Sequence, residues 1–178
     1  MRWTVRLPAV CALACLLLLS GGMPGRAAAQ SFSEYQLKAG VLYNFIALTT
    51  WPEPLSGVLN VCVYGPDPFA GELGKLAGKK VGDVRLAVLS LHSAKGLADC
   101  QVVFVSQPVL GNLPRVVDEI GRRPVLTVAD APGAHAGVVL NMELEQGKVK
   151  FQANLPVARA AGLLLSSKLL RLASEVIQ

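Results

Sequence analysis

Three short apolar runs constrain what this chain can fold into: Val58-Leu59-Asn60-Val61-Cys62-Val63-Tyr64, Gln101-Val102-Val103-Phe104-Val105 and Pro124-Val125-Leu126-Thr127-Val128. Strands this continuously apolar are covered on both faces, which requires helices on both sides of a mostly parallel sheet. The intervening segments supply them. Ser33 to Leu48 carries Leu37, Val41, Phe45 and Leu48 on one stripe and Tyr35, Ala39, Leu42 and Ile46 on another, a helix apolar over most of its circumference. Trp51-Pro52-Glu53-Pro54 then forces an extended connection. Asp67, with Pro68 behind it, predicts the cap of a second helix running to about Ala77. Asp83 to Ser90 reads as a strand, Ser93 to Ala98 as a short helix or turn, and Asn112 to Arg122 as a helix.

The ending departs from this alternation. Gly137 to Leu144 and Lys148 to Asn154 flank Gln146-Gly147, the signature of an antiparallel hairpin. From about Pro156 a final long helix is expected, with Leu165, Leu169, Leu172 and Val176 on one stripe and Leu163, Leu164 and Leu170 beside it. The expected fold class is therefore α/β, a mostly parallel sheet flanked by helices with a C-terminal antiparallel hairpin and a long C-terminal helix. The first and last helices are more apolar than one sheet face requires, which suits either a self-association surface or simple deep burial.

The chain begins with Arg2 and Arg6, an apolar run of 13 residues from Leu7 to Leu19, and Ala27-Ala28-Ala29 before Gln30. That is the layout of a secretory signal peptide over residues 1–29, and the run falls short of the roughly 20 residues that span a bilayer. A lipid anchor through Cys15 fits less well, because Leu16 to Leu19 continue the apolar run past it. The expectation is a single domain over 30–178, exported and free of direct membrane insertion after cleavage. The leader holds three of the 17 Lys and Arg and none of the 12 Asp and Glu, which leaves 14 against 12 and a balance of +2. No basic cluster remains to neutralise a row of phosphates, so no nucleic-acid partner is expected.

Cys11 and Cys15 leave with the leader, so only Cys62 and Cys100 would face an oxidising compartment. If their strands are parallel neighbours in step, the two are offset by about 13 Å along the strand direction. A bridge allows roughly 7 Å between Cα atoms. The reading is two separate thiols, Cys62 in the core and Cys100 as the accessible, redox-sensitive one.

Enzyme signatures are missing: there is no Gly-x-Ser-x-Gly elbow, His-Glu-x-x-His, Cys-x-x-Cys or Gly-x-x-x-x-Gly-Lys. His92 and His135 stand far apart in loops, and no metal site is expected from them. Asp99, Glu119 and Asp130 near strand ends read as caps and turn residues, with nothing pairing them for acid–base work. In the first strand-to-helix turn, Gly65-Pro66-Asp67-Pro68, a carboxylate stands where an anion would sit and two prolines remove donors. Neither a cofactor nor catalysis is expected, and recognition is the favoured role.

Several segments resemble the YfiR family of periplasmic proteins. They are Lys38 to Phe45 with Trp51-Pro52, Val61 to Gly65 with Asp67-Pro68-Phe69, Pro124 to Asp130, Val149 to Leu155, Ala158 to Leu163, and Ser166 to Ala173. The resemblance implies a Rossmann-like α/β sandwich that forms homodimers. It also implies a periplasmic repressor that binds the periplasmic domain of an inner-membrane diguanylate cyclase and holds it inactive, so that cyclic-di-GMP and biofilm formation fall. Some members of that family link cysteines, but this chain has no third mature cysteine to partner Cys100. For the partner-binding surface we single out Phe151, Asn154, Arg159, Ser166, Ser167, Lys168 and Arg171, of which the long basic side chains suit an acidic partner. The alternative is a periplasmic small-ligand-binding sensor module, with a pocket at its strand ends, working with another membrane receptor or a histidine kinase.

Overall fold

In the computed structural model, which describes residues 33–132 and 136–178, the chain opens with helix α1 (Glu34–Ala47). The leader at 1–29 and His135 lie outside the described residues. Ser33 caps α1: its hydroxyl accepts from the Gln36 amide while the Gln36 side chain accepts from the Ser33 amide, so two otherwise unpaired amides are satisfied. β1 (Thr49–Thr50) and the extended Trp51–Pro54 connection lead to β2 (Val58–Tyr64). β3 (Lys80–Val81), β4 (Val84–Leu91), β5 (Val102–Val105), α2 (Leu113–Ile120) and β6 (Leu126–Ala129) follow. β7 (Leu140–Glu145) and β8 (Lys148–Asn154) form the predicted hairpin, whose turn residues Gln146 and Gly147 both have positive φ, 50° and 75°. The chain closes with α3 (Leu155–Ala160), β9 (Leu164–Leu165), α4 (Ser167–Leu172) and β10 (Glu175–Ile177).

The main sheet has the order β10-β8-β7-β6-β5-β2-β4-β3. Its five central strands, β4-β2-β5-β6-β7, are parallel, as the buried apolar runs require. Alternation along them separates two cores. Leu59, Val61, Val63, Phe104, Val128 and Met142 point to one face, where Leu42, Phe45 and Ile46 of α1 and the buried Phe69 and Leu73 cover them. Cys62, Tyr64, Val103, Val105 and Ala129 point to the other, beneath Leu113, Val116 and Ile120 of α2 and the turn at Leu97.

Three expectations are corrected. No α-helix follows Asp67: its carboxylate accepts from the Phe69 amide at 2.8 Å, and Ala70 and Gly71, at φ 48° and 85°, reverse the chain before a single 3-10 turn at Leu73–Leu76. The reversal sends Phe69 and Leu73 into the core together. The long C-terminal helix is also absent. Gly162 at φ 69° ends α3, Leu163 turns inward, and Leu164–Leu165 pair with Thr50 and Thr49 before Ser166 caps the short α4. Glu175–Ile177 then joins the sheet beside β8. The regular leucine spacing is thus shared among two strands and a helix.

The third correction concerns the cysteines, which are not separate thiols: Cys62 and Cys100 form a disulfide with Cα atoms 6.0 Å apart. β2 and β5 are parallel neighbours, with Cys62 opposite Val103. β5, however, begins only at Val102, and Cys100 ends a 3-10 turn (Leu97–Asp99) packed on the face that receives the Cys62 side chain. The expected offset assumed a straight strand back to Cys100, and the chain curls instead. Cys100 is therefore not a free redox-sensitive thiol.

Candidate protein-binding surface

α1 and α4 diverge over β8 and leave an apolar groove of about 470 Å³. Val41, Phe45 and Leu48 form one wall, Val149 and Phe151 the floor, and Leu169 and Leu172 the other wall. Phe151 is 6% exposed and meets the Phe45 ring edge-on, with centroids 4.8 Å apart, so the floor is packed against α1. Leu172, at the rim, is 65% exposed. Leu144, paired with Val149 across the hairpin, carries exposed apolar surface towards the hairpin tip. Lys168 lines the groove, and Arg171 lies three residues further along α4, exposed and on a neighbouring position of the helix surface. An open apolar furrow beside two cations is suited to a side-chain anchor from a partner with acidic groups.

The residues expected at the partner surface fall into three groups. Phe151 and Lys168 meet in the groove, and Arg171 and the exposed Ser167 share α4 with Lys168. Asn154 and Ser166 are helix caps: the Asn154 carboxamide oxygen accepts from the Val157 amide, and the Ser166 hydroxyl accepts from the Leu169 amide, each at 3.2 Å. Ser166 also donates its amide to the Leu48 carbonyl at 3.0 Å, fixing the start of α4 against the C-terminal end of α1. Arg159 is exposed on α3 and does not line the groove. Val41, Leu48, Val149 and Leu172 were not singled out, because only packing of α1 against α4 makes them one surface.

At the carboxyl ends of the strands, order reverses between β2 and β5, the position where open α/β sheets bind small ligands. Here the crevice is filled by the protein's own side chains. Ser106 donates both its amide and its hydroxyl to the Tyr64 carbonyl, at 3.1 and 3.0 Å, and Asn112 donates to the Tyr64 hydroxyl at 3.3 Å. Gly65, at φ 94°, packs so closely that a Cβ there would lie 2.4 Å from the Ser106 hydroxyl.

Beside this closed crevice, Lys38 of α1 forms a buried ion pair with Asp130, 3.0 Å from its carboxylate, and a second with Glu34. Burial disfavours the Lys38 ammonium, but hydrogen bonds to Glu34 and Asp130 outweigh it and raise its pKa. The same pocket raises the Tyr35 pKa through burial first and the Asp130 charge second. One Asp130 carboxylate oxygen is buried without a hydrogen-bond partner among the described residues. Asp130 is thus a structural counter-ion for Lys38, a pairing across 92 residues that no local signal reveals. Among the described residues no cluster of three or more His, Cys, Asp or Glu is placed to hold a metal. No helix among them is long and apolar enough to cross a membrane.

A second cavity, about 510 Å³, opens at the opposite end of the sheet between Trp51, Pro52, Pro54, Cys100, Arg123 and Pro124. The Trp51 indole N–H donates to the Pro124 carbonyl at 2.9 Å, which ties this loop to the start of β6.

No curated protein matches the chain in sequence. Among solved structures, a conserved domain protein of Vibrio cholerae O1 biovar eltor shares its fold with TM-score 0.54 at 10% identity, over 82% of this chain and 61% of that one. The ABC domain from Streptococcus pneumonia, solved in complex with L-Trp, matches with TM-score 0.52 at 11% identity, over 80% of this chain and 62% of that one. The chain thus spans less than two thirds of either, and the likeness is one of fold. Residues 35–174 match the YfiR/HmsC-like sequence family, a span that holds the groove, the disulfide and the buried ion pair alike. The chain belongs to the YfiR/HmsC-like family.

Proposed function

We propose that the mature chain is a periplasmic negative regulator that binds the periplasmic domain of an inner-membrane diguanylate cyclase. It holds that enzyme inactive and so lowers cyclic-di-GMP and biofilm formation. Family membership over 35–174 supports the regulatory role, and the leader-like residues 1–29 support export. The observation that carries the reading is the open apolar groove between α1, β8 and α4, with Leu172 exposed on its rim and Lys168 and Arg171 beside it. An exported domain that works by recognition acts on the cell by touching something that crosses the membrane.

Repression requires the groove to favour the inactive form of the cyclase, because equal affinity for both forms shifts no equilibrium. An apolar anchor on the cyclase, presented only in that form and flanked by acidic residues, would supply the difference. The competing small-ligand reading draws less support, since the strand-end crevice where such a ligand would sit is filled by Ser106, Val109 and Asn112. The test is Lys168→Glu/Arg171→Glu. Both side chains are exposed, so the variant should fold normally and lose affinity for the purified periplasmic domain of the cyclase. Unchanged affinity in the folded double variant would remove this surface from the interface.

A further inference from the structure

The cavity at the amino ends of the strands has no part in cyclase binding as proposed above. It holds about 510 Å³, within the roughly 300–1,000 Å³ of small-ligand sites. Val58, Gln101 and Val125 line it where β2, β5 and β6 begin, and the connection from Trp51 to Ser56 and the Arg123-Pro124 turn complete it. Its walls are fixed before any ligand arrives. The Trp51 indole is held on the Pro124 carbonyl, and Cys100 is bridged to Cys62. The Gln101 backbone bonds to Asn60 on one side and to Leu126 on the other, at 3.1 and 2.9 Å. Pro52, Pro54 and Pro124 have their φ locked by their own rings. A preformed site of this kind spares a ligand much of the cost of ordering it.

Both the apolar and the polar parts of the lining are left incomplete by the protein itself. Val58 is 57% exposed, so an apolar body laid in the cavity would take it out of water. The Arg123 guanidinium carries a fork of N–H donors, of which only Nη1 bonds within the protein, to the Glu119 carbonyl at 3.2 Å near the end of α2. Arg123 forms no ion pair with any described residue, not even with Glu53 of the same cavity. The Gln101 carboxamide oxygen accepts from the Asn60 amide at 2.8 Å, which leaves its NH2 group without a protein partner among the described residues.

We propose that this cavity binds a small organic monocarboxylate with an apolar body. The carboxylate meets the free donors of Arg123, a charge-assisted contact that the fork geometry makes bidentate. The apolar body lies against Val58 and the prolines. Glu53 then sets the selectivity: its carboxylate lines the same space, so a second negative charge on the ligand is repelled and dicarboxylates are refused. The cavity shares no lining residue with the groove over β8, so this site goes beyond the functional reading and stands or falls separately from cyclase binding.

Calorimetry on the mature protein tests it with probes of equal chain length: octanoate, octanamide and suberate. Octanoate should bind with a Kd below about 1 mM and change the fluorescence of Trp51, which lines the cavity. Octanamide lacks the charge and suberate carries one at each end, so each should bind wild-type protein about tenfold more weakly or worse. This comparison needs no substitution. Arg123→Gln, at an exposed side chain, should keep its thermal midpoint, lose about tenfold or more in octanoate affinity and leave octanamide binding unchanged. Glu53→Gln should bring suberate closer to octanoate. No octanoate binding at about 10 mM would overturn the proposal. So would equal affinity for octanoate and octanamide, or octanoate affinity unaffected in folded Arg123→Gln. Suberate bound by the wild type as tightly as octanoate would overturn the role given to Glu53.

Discussion

Replacing Cys62 and Cys100 together with alanine, or reducing their bridge, should cost about 4 kcal/mol of stability. The cysteines are 38 residues apart, and closing a loop of that length removes about 13 cal/mol/K of chain entropy from the unfolded state, or about 3.9 kcal/mol at 25 °C. Both sulfurs are buried in the core beneath α2, so alanine adds a packing loss to the entropic one. Trp51 is a convenient reporter: it is the only tryptophan beyond the leader, and its indole bonds to the chain entering β6. Urea titrations followed by its fluorescence, with and without reductant, should show a lower midpoint on reduction. The thermal midpoint should fall by roughly 8–16 °C for a domain of this size. Coincident midpoints for oxidised and reduced protein would refute the reasoning. Two freely titrating thiols in native protein purified from an oxidising compartment would refute it equally.

Other expectations follow from the buried groups at the carboxyl ends of the strands. Lys38→Met leaves Asp130 buried without its cation and should destabilise the fold by about 3–5 kcal/mol in chemical denaturation, whereas Lys38→Met/Asp130→Leu should recover much of that loss. Lys38 and Tyr35 both hold their protons more tightly in the folded protein than in the unfolded chain. Their contribution is therefore complete below about pH 10 and is lost as pH rises through their folded values, so a pH series of denaturation midpoints should fall more steeply above about pH 10 in wild type than in Tyr35→Phe. Gly65→Ala combines a strained positive φ with contacts to Ser106 and Val109 that no Cβ can keep, and should cost about 3 kcal/mol by the same assay.

What the sequence revealed and what it hid divide on physical lines. β2, β5 and β6 were legible because strands buried on both faces carry uninterrupted apolar residues. α1 was legible from its two apolar stripes, and the β7–β8 hairpin because Gln146-Gly147 act within a few positions of the strands they join. The disulfide was not, because it depends on the path of the 3-10 turn before β5 and not on either strand alone. The C-terminal leucines misled for a related reason: Gly162 and Ser166, a helix stop and a helix start, lie within a spacing that also suits one long helix. Of the candidate site, Phe151 and Lys168 were found as residues but not as a groove. Its other wall comes from α1, more than a hundred residues earlier in the chain. Asn154 and Ser166 look like surface polar groups in sequence and prove to be caps, since nothing local distinguishes a hydroxyl awaiting a partner from one bonded to the next turn.

The central claim is that this chain restrains a diguanylate cyclase through the groove between α1, β8 and α4. Its most direct test is cellular cyclic-di-GMP in a strain deleted for this gene and then complemented. Deletion should raise cyclic-di-GMP, wild-type protein should restore the low level, and Lys168→Glu/Arg171→Glu protein, exported and folded to the same amount, should leave it high. No rise on deletion would contradict the account.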